Sequence, residues 1–129
     1  MNKKTLLGAV ICFMLVACTG YGNRLDFNGG ELYYTKAIDK EEANRLGNYL
    51  VEQNFFSGDK ISVQIDKVED VYQFKMVSKE DAETNPENVT NAQSFAITLS
   101  NEVFNGAPVN FYFCDSYFKT KLEIPFPIQ

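Results

Sequence analysis

The sequence predicts an α+β domain whose elements follow the order β-α-β-β-α-β-β. Three observations predict this class: five short runs alternate apolar with polar residues, two longer runs repeat apolar residues at helical spacing, and turn-forming residues separate the runs. The chain of 129 residues is long enough for one such domain, which we place at residues 31–129.

The first strand is expected at residues 31–36, and the first helix begins at Asp39. Glu42 stands where it completes a capping box with Asp39, an arrangement that is typical of a helix start. The helix should end before Gly58. Its apolar residues share one face: Ala43, Leu46 and Leu50.

The second helix is expected to begin at Asn85 and Pro86, because proline lacks an N–H that the first helical position does not need. A clear apolar stripe follows, and Asn105 with Gly106 should end the helix. Four further alternating runs predict the other strands: residues 61–66, 71–77, 108–114 and 119–124.

The first six elements have the order of ferredoxin-like folds. We therefore expect one antiparallel sheet with both helices on one face and an extra C-terminal strand. The predicted strand order is 4-1-3-2, with the fifth strand beside the fourth. The alternative is a sheet in which the first two strands are direct neighbours.

Residues 1–17 have the pattern of an export signal. Lys3 and Lys4 form a positive region, and twelve apolar or small residues follow from Leu6 to Ala17. This run would cover about 18 Å of a hydrocarbon core about 30 Å thick, so it is too short for a permanent span. Cys18 follows it directly.

Leu15 to Cys18 resemble the lipobox of bacterial lipoproteins, with the small Ala17 before the cysteine that is modified. The resemblance implies cleavage before Cys18, palmitate and other acyl chains on this residue, and export to a membrane. Thr19 is not the aspartate of inner-membrane retention, so the outer membrane facing the periplasm is our first choice. Cell-surface and plasma-membrane locations are alternatives, and so is an ordinary signal peptide followed by a chance cysteine.

Residues 18–30 contain four glycines and little apolar periodicity, so we expect a flexible tether after the lipidated cysteine. Cleavage would remove Lys3 and Lys4, which leaves ten of the twelve basic residues against seventeen acidic ones, a net charge of −7. Such a charge disfavours nucleic acid as a partner, since its binding depends on neutralised phosphates.

Four segments resemble a small bacterial domain family of unknown function. They are residues 29–35, 46–51, 71–77 and 103–109, together with Cys114 and Asp115. These segments combine core and turn positions. The resemblance covers residues 29–124 and implies a fold, but it supplies no catalytic residue.

The chain lacks residues that most catalytic sites need. It has no histidine to serve as a base for Cys114, which alternates with phenylalanines and is expected to be a small core residue. A Cys/His set for zinc is missing, and the acidic turn at Asp66, Glu69 and Asp70 matches no calcium loop. We therefore expect no enzyme activity, no metal and no cofactor.

One face of the predicted sheet is rich in polar and tyrosine side chains. Strand alternation places six residues there: Tyr33, Gln64, Gln73, Lys75, Asn110 and Tyr112. In the predicted order, Tyr33 and Tyr112 lie on neighbouring strands. Tyrosine with amide side chains gives rigid contact area with polar tips, which is typical of recognition surfaces. Tyrosine is also a common residue on a solvated strand face.

The sequence thus predicts a lipid-anchored envelope domain that binds a protein or glycan partner through this face. It predicts that Tyr33→Ala combined with Tyr112→Ala abolishes binding without lowering the melting temperature. One alternative is a structural or assembly subunit of an envelope complex. A hydrolase that uses carboxylates only is the alternative we rank last.

Overall fold

The computed structural model describes residues 20–127, so the predicted signal peptide and Cys18 lie outside the described residues. Six strands and two α-helices make up this region, with a short 3₁₀ helix at Ala82–Thr84 before the second α-helix. Their bounds are β1 (Asn23–Phe27), β2 (Gly30–Tyr34), α1 (Lys40–Glu52), β3 (Ser62–Val68), β4 (Val71–Val77), α2 (Pro86–Glu102), β5 (Val109–Cys114) and β6 (Thr120–Ile124). No helix between residues 20 and 127 has the length and apolarity that a membrane span requires.

The six strands form one mixed sheet in which each strand lies beside the next one in the sequence. β2 pairs with β3 in parallel, and so does β4 with β5, whereas the three remaining pairs are antiparallel. Each parallel pair is joined by a helix. The domain therefore contains two βαβ units, which the β3–β4 hairpin joins, and the prediction of an α+β class is confirmed.

The predicted ferredoxin-like strand order 4-1-3-2 and the purely antiparallel sheet are wrong. The alternative topology, with the first two predicted strands side by side, is correct. These strands correspond to β2 and β3, which are direct neighbours. Phe56, just after α1, is fully buried against Gly30 on β2, and the Glu31 N–H donates to the Ile61 carbonyl at 2.8 Å. These contacts return the chain to the edge of β2, so β3 forms beside it.

The predicted flexible tether at residues 18–30 is also corrected, because residues 23–27 form the edge strand β1. Asn28 and Gly29 close the β1–β2 hairpin with φ angles of 45° and 88°. Asn-Gly is a strong signal for a two-residue hairpin turn, since both positions require positive φ. Phe27 packs partly buried against the core, which stabilises the strand.

The predicted helix starts are confirmed. The Asp39 side chain accepts a hydrogen bond from the Glu42 N–H at 2.7 Å, and the Asn85 side chain accepts one from the Glu87 N–H at 2.9 Å. Each bond satisfies a backbone donor that has no partner within its helix. The predicted apolar residues of α1 are buried: Ala43, Leu46 and Leu50.

Both helices pack on one face of the sheet, but on different parts of it. α1 lies against β1 and β2, whereas α2 lies against β5 and β6. Aromatic rings fill the space between them: Phe55 stacks on Phe95 with ring centroids 5.3 Å apart, and both rings contact Phe74 from β4. We call Phe55, Phe74 and Phe95 the central aromatic cluster.

We predict that Gly30→Ala destabilises the domain by about 1–3 kcal/mol, since a Cβ there would lie 2.2 Å from the buried Phe56 ring. This steric effect should exceed the gain of about 0.4–1 kcal/mol that replacing glycine brings through the unfolded state. Urea denaturation followed by circular dichroism measures the change. Ser57→Ala, at an exposed neighbour of Phe56, is the control and should stay within about 0.5 kcal/mol of wild type. Equal midpoints for Gly30→Ala and wild type would contradict the argument.

Candidate functional site

The structure places the six predicted binding residues on one face of the sheet, which we call the open face. Strand pairing aligns them in two rows: Tyr33, Gln64, Lys75 and Tyr112 in the first, and Gln73 and Asn110 in the second. The prediction that Tyr33 and Tyr112 lie on neighbouring strands is wrong. Because the strand order is sequential, β3 and β4 lie between them.

The N-terminal segment covers the Tyr33 side of the open face. The rings of Tyr21, Tyr33 and Phe118 meet edge to face, with centroids 5.2–5.7 Å apart. Gln64 is only 7% exposed, and its Nε2 donates to the Tyr21 carbonyl at 2.9 Å. Gln64 therefore holds the protein's own chain in place, and its donor is not available to a partner.

The Tyr112 side of the open face is also largely closed. Tyr112 is 7% exposed, its hydroxyl donates to Glu123 Oε2 at 3.3 Å, and the Lys75 ammonium lies 5.7 Å from its ring centroid. Burial raises the pKa of the Tyr112 hydroxyl. Asn110 Oδ1 accepts a hydrogen bond from the Phe126 N–H at 2.9 Å. Of the six predicted residues, Gln64 and Tyr112 are thus buried, whereas Tyr33, Gln73, Lys75 and Asn110 are half-buried.

Three titratable groups of the described region have shifted pKa values that bear on catalysis: Cys114, Asp26 and Asp115. Cys114 is fully buried, and burial raises the pKa of its thiol, so the nucleophilic thiolate is disfavoured. The Arg24 guanidinium holds the pKa of Asp26 below its usual range, and backbone N–H groups of Lys119 and Tyr117 do the same for Asp115. Both carboxyls therefore stay ionised, the opposite of a general acid. No cluster of three or more metal-ligating side chains lies between residues 20 and 127.

A pocket of about 450 Å³ opens on the other face of the sheet, beside α2. We call it the helix-side pocket. It lies between α2 and the strands β4 and β5 beneath it, with Phe55 after α1 and the segment that follows β4 completing the lining. The apolar walls consist of Phe55, Met76, Phe95, Phe111 and Phe113.

A few polar groups lie at the rim of this pocket. Ser78 Oγ is buried and has no hydrogen-bond partner among the described residues. Lys121 Nζ donates to the Ser78 and Lys79 carbonyls at 3.4 and 3.1 Å, which fixes the end of β4 beside the opening. Asn91 from α2 is exposed at the rim. Apolar walls with a small number of polar groups are the usual composition of a binding pocket.

Sequence reasoning missed this pocket. The apolar stripe of α2 predicts that Ala92 and Phe95 face the core, and both contact it. Apolar periodicity does not show how far apart two helices lie, because each helix can bury its apolar face against the sheet without contacting the other helix. The one local signal is Phe55-Phe56, a pair of large apolar residues beyond the end of α1 that needs a place between the layers.

Comparison with protein-family models matches residues 24–125 to the AF_1994_N family N-terminal domain. The chain belongs to this family. The AF_1994_N match includes both helices, the helix-side pocket and all six strands apart from Asn23, and it supports the predicted resemblance to a small domain of unknown function. No curated protein and no solved structure matches the chain.

The burial of Tyr112 changes what its substitution should do. We predict that Tyr112→Ala lowers the stability by about 3 kcal/mol, because it removes a large buried side chain and leaves a cavity. Thermal unfolding followed by circular dichroism tests this. Tyr117→Ala is the matched control, since Tyr117 is 76% exposed and its loss should change stability by no more than about 0.5 kcal/mol. A melting temperature that is unchanged for Tyr112→Ala would show that this side chain is free on the surface.

Proposed function

We propose that this protein is a lipid-anchored domain of the cell envelope that binds a protein partner and catalyses no reaction. Two independent features support the proposal. Residues 1–18 combine a positive region, an apolar run and a lipobox in the order of a lipoprotein signal. The helix-side pocket then gives the folded domain a place for an apolar group.

The helix-side pocket is the observation that carries the binding proposal. Its volume of about 450 Å³ and its aromatic walls suit large apolar side chains, which dominate protein–protein binding when they fill such pockets. Polar side chains at the rim, such as Asn91 and Lys79, match the apolar centre and polar border of protein interfaces.

The open face supports a partner less well. A glycan needs many hydrogen bonds along a surface. The side-chain amide nitrogen of Gln64 and the side-chain amide oxygen of Asn110 already form hydrogen bonds with the protein's own backbone. Tyr112, which would supply contact area, is buried. We therefore place the partner in the helix-side pocket.

The absence of catalysis is proposed from the state of the titratable groups. The Cys114 thiol is buried with a raised pKa, and the carboxyls of Asp26 and Asp115 have lowered pKa values. A hydrolase that uses carboxylates needs one carboxyl whose pKa is raised, so that it can donate a proton near neutral pH. The pKa values of Asp26 and Asp115 are lowered instead, so neither carboxyl suits the role of a proton donor.

A structural or assembly subunit is a second candidate, because the sheet has two edge strands. Among the described residues, the outer edges of β1 and β6 pair with no further strand. Open edges can accept a strand from another chain. Such an assembly would not depend on the helix-side pocket, so the experiment below separates the two candidates.

We predict that residues 19–129 select phage-displayed peptides with closely spaced large apolar residues. Asn91→Trp should weaken binding of the selected peptides by about tenfold or more, because the indole would occupy the pocket mouth. Binding is measured by biolayer interferometry with synthetic peptides. Gln93→Trp places the same side chain on an exposed part of α2 away from the pocket and serves as the control. Selected peptides that bind both variants equally would remove the pocket from the proposal.

For the anchor, we predict that cells incorporate radiolabelled palmitate into the wild-type protein and into Cys114→Ser, but not into Cys18→Ser. The Cys18→Ser protein should move from the membrane fraction to the soluble fraction, because two or more acyl chains are needed for stable anchoring. Labelled Cys18→Ser, or unlabelled wild type, would contradict the anchor. Sucrose-gradient separation of the membranes then tests the outer membrane as the location.

A further inference from the structure

The folded domain begins almost immediately after the proposed lipid site. Tyr21 is held by the Gln64 amide and by the rings of Tyr33 and Phe118. Gly22 turns the chain with a φ of 96°, at a place where a Cβ would lie 2.2 Å from the Tyr34 carbonyl oxygen. β1 then pairs with β2 along all five of its residues. The chain is thus bound to the domain from Tyr21 onward.

This attachment leaves a very short connection to Cys18. Only Thr19 lies between Cys18 and Gly20, so the Cα atoms of these two residues can be at most about 7 Å apart. A flexible connection over residues 18–30 would instead have allowed a distance of tens of ångströms between Cys18 and the folded domain. Acyl chains on Cys18 would therefore hold the body of the domain close to the lipid headgroups.

The connection also has a direction. Gln64 and Tyr33, which hold Tyr21, lie on the open face, whereas α1, α2 and the helix-side pocket lie on the opposite face. The chain toward Cys18 therefore leaves the domain from the side of the open face.

We infer that the open face is a membrane-apposed surface whose partner is the headgroup layer of the bilayer that holds the acyl chains. This inference rests on acylation of Cys18, the anchor of the proposed function. The open face carries charges of both signs. Arg24, Asp26 and Glu123 are exposed on it, and Asp66 and Lys75 are half-buried. Such a polar surface of mixed charge can lie against hydrated headgroups.

Apposition of the open face turns the helix-side pocket away from the membrane. An α-helix adds about 10–12 Å to the thickness of the domain, so exposed residues of α2 should stand at least that much farther from the headgroups than residues of β4. The pocket would then be accessible to a partner in the aqueous compartment.

Fluorescence quenching tests this orientation in the acylated full chain. A fluorophore is attached to Gln73→Cys on the open face or to Gln93→Cys on α2, each in a Cys114→Ser background. The proteins are reconstituted into phosphatidylethanolamine–phosphatidylglycerol vesicles that carry a nitroxide on the lipid headgroup. We expect severalfold stronger quenching at position 73 than at position 93. Equal quenching, or stronger quenching at position 93, would overturn the inference.

A lengthened connection is the matched control. Insertion of about ten Gly/Ser residues between Thr19 and Gly20 adds about 18 Å of flexible reach, so the difference between the two positions should be lost. If it persists, the short connection is not its cause, and the inference fails. Palmitate labelling of the same preparations separates the two proposals: an unlabelled protein refutes the anchor, whereas a labelled protein without the quenching difference refutes the orientation alone.

Discussion

The packing of phenylalanine rings between the two helices is the interaction on which the rest of the domain depends. Each helix covers its own part of the sheet, and the central aromatic cluster of Phe55, Phe74 and Phe95 joins the two parts. Cys114 is the one cysteine of the described region, so no disulfide can join two parts of this region. Stability must therefore come from apolar burial, and large rings supply much area per residue.

The same cluster also shapes the helix-side pocket. Phe55 and Phe95 belong both to the cluster and to the wall of the helix-side pocket. A substitution that removes either ring would thus lower stability and alter the pocket together, which is why the pocket is better tested by filling its mouth at Asn91. This overlap also means that an apolar group in the pocket would add contacts to the cluster and stabilise the folded state.

Local features of the fold could be predicted from the sequence, but its topology could not. The caps at Asp39 and Asn85 and the alternating strands depend on neighbouring residues, and they occur as predicted. Strand order depends on where the chain goes after α1, which is decided by the contact of Phe56 with Gly30 across the layers. β1 was missed for a simpler reason: four glycines suggested a tether and concealed the Asn28-Gly29 hairpin signal.

The candidate site divides in the same way. Alternation correctly brought six residues to one face, yet it could not show that Tyr21 and Phe118 fold over that face or that Tyr112 is buried. Those contacts join segments far apart in the sequence. Their effect is to give the two faces different roles. Tyr21 and Phe118 cover part of the open face, whereas the helix-side pocket opens on the opposite face.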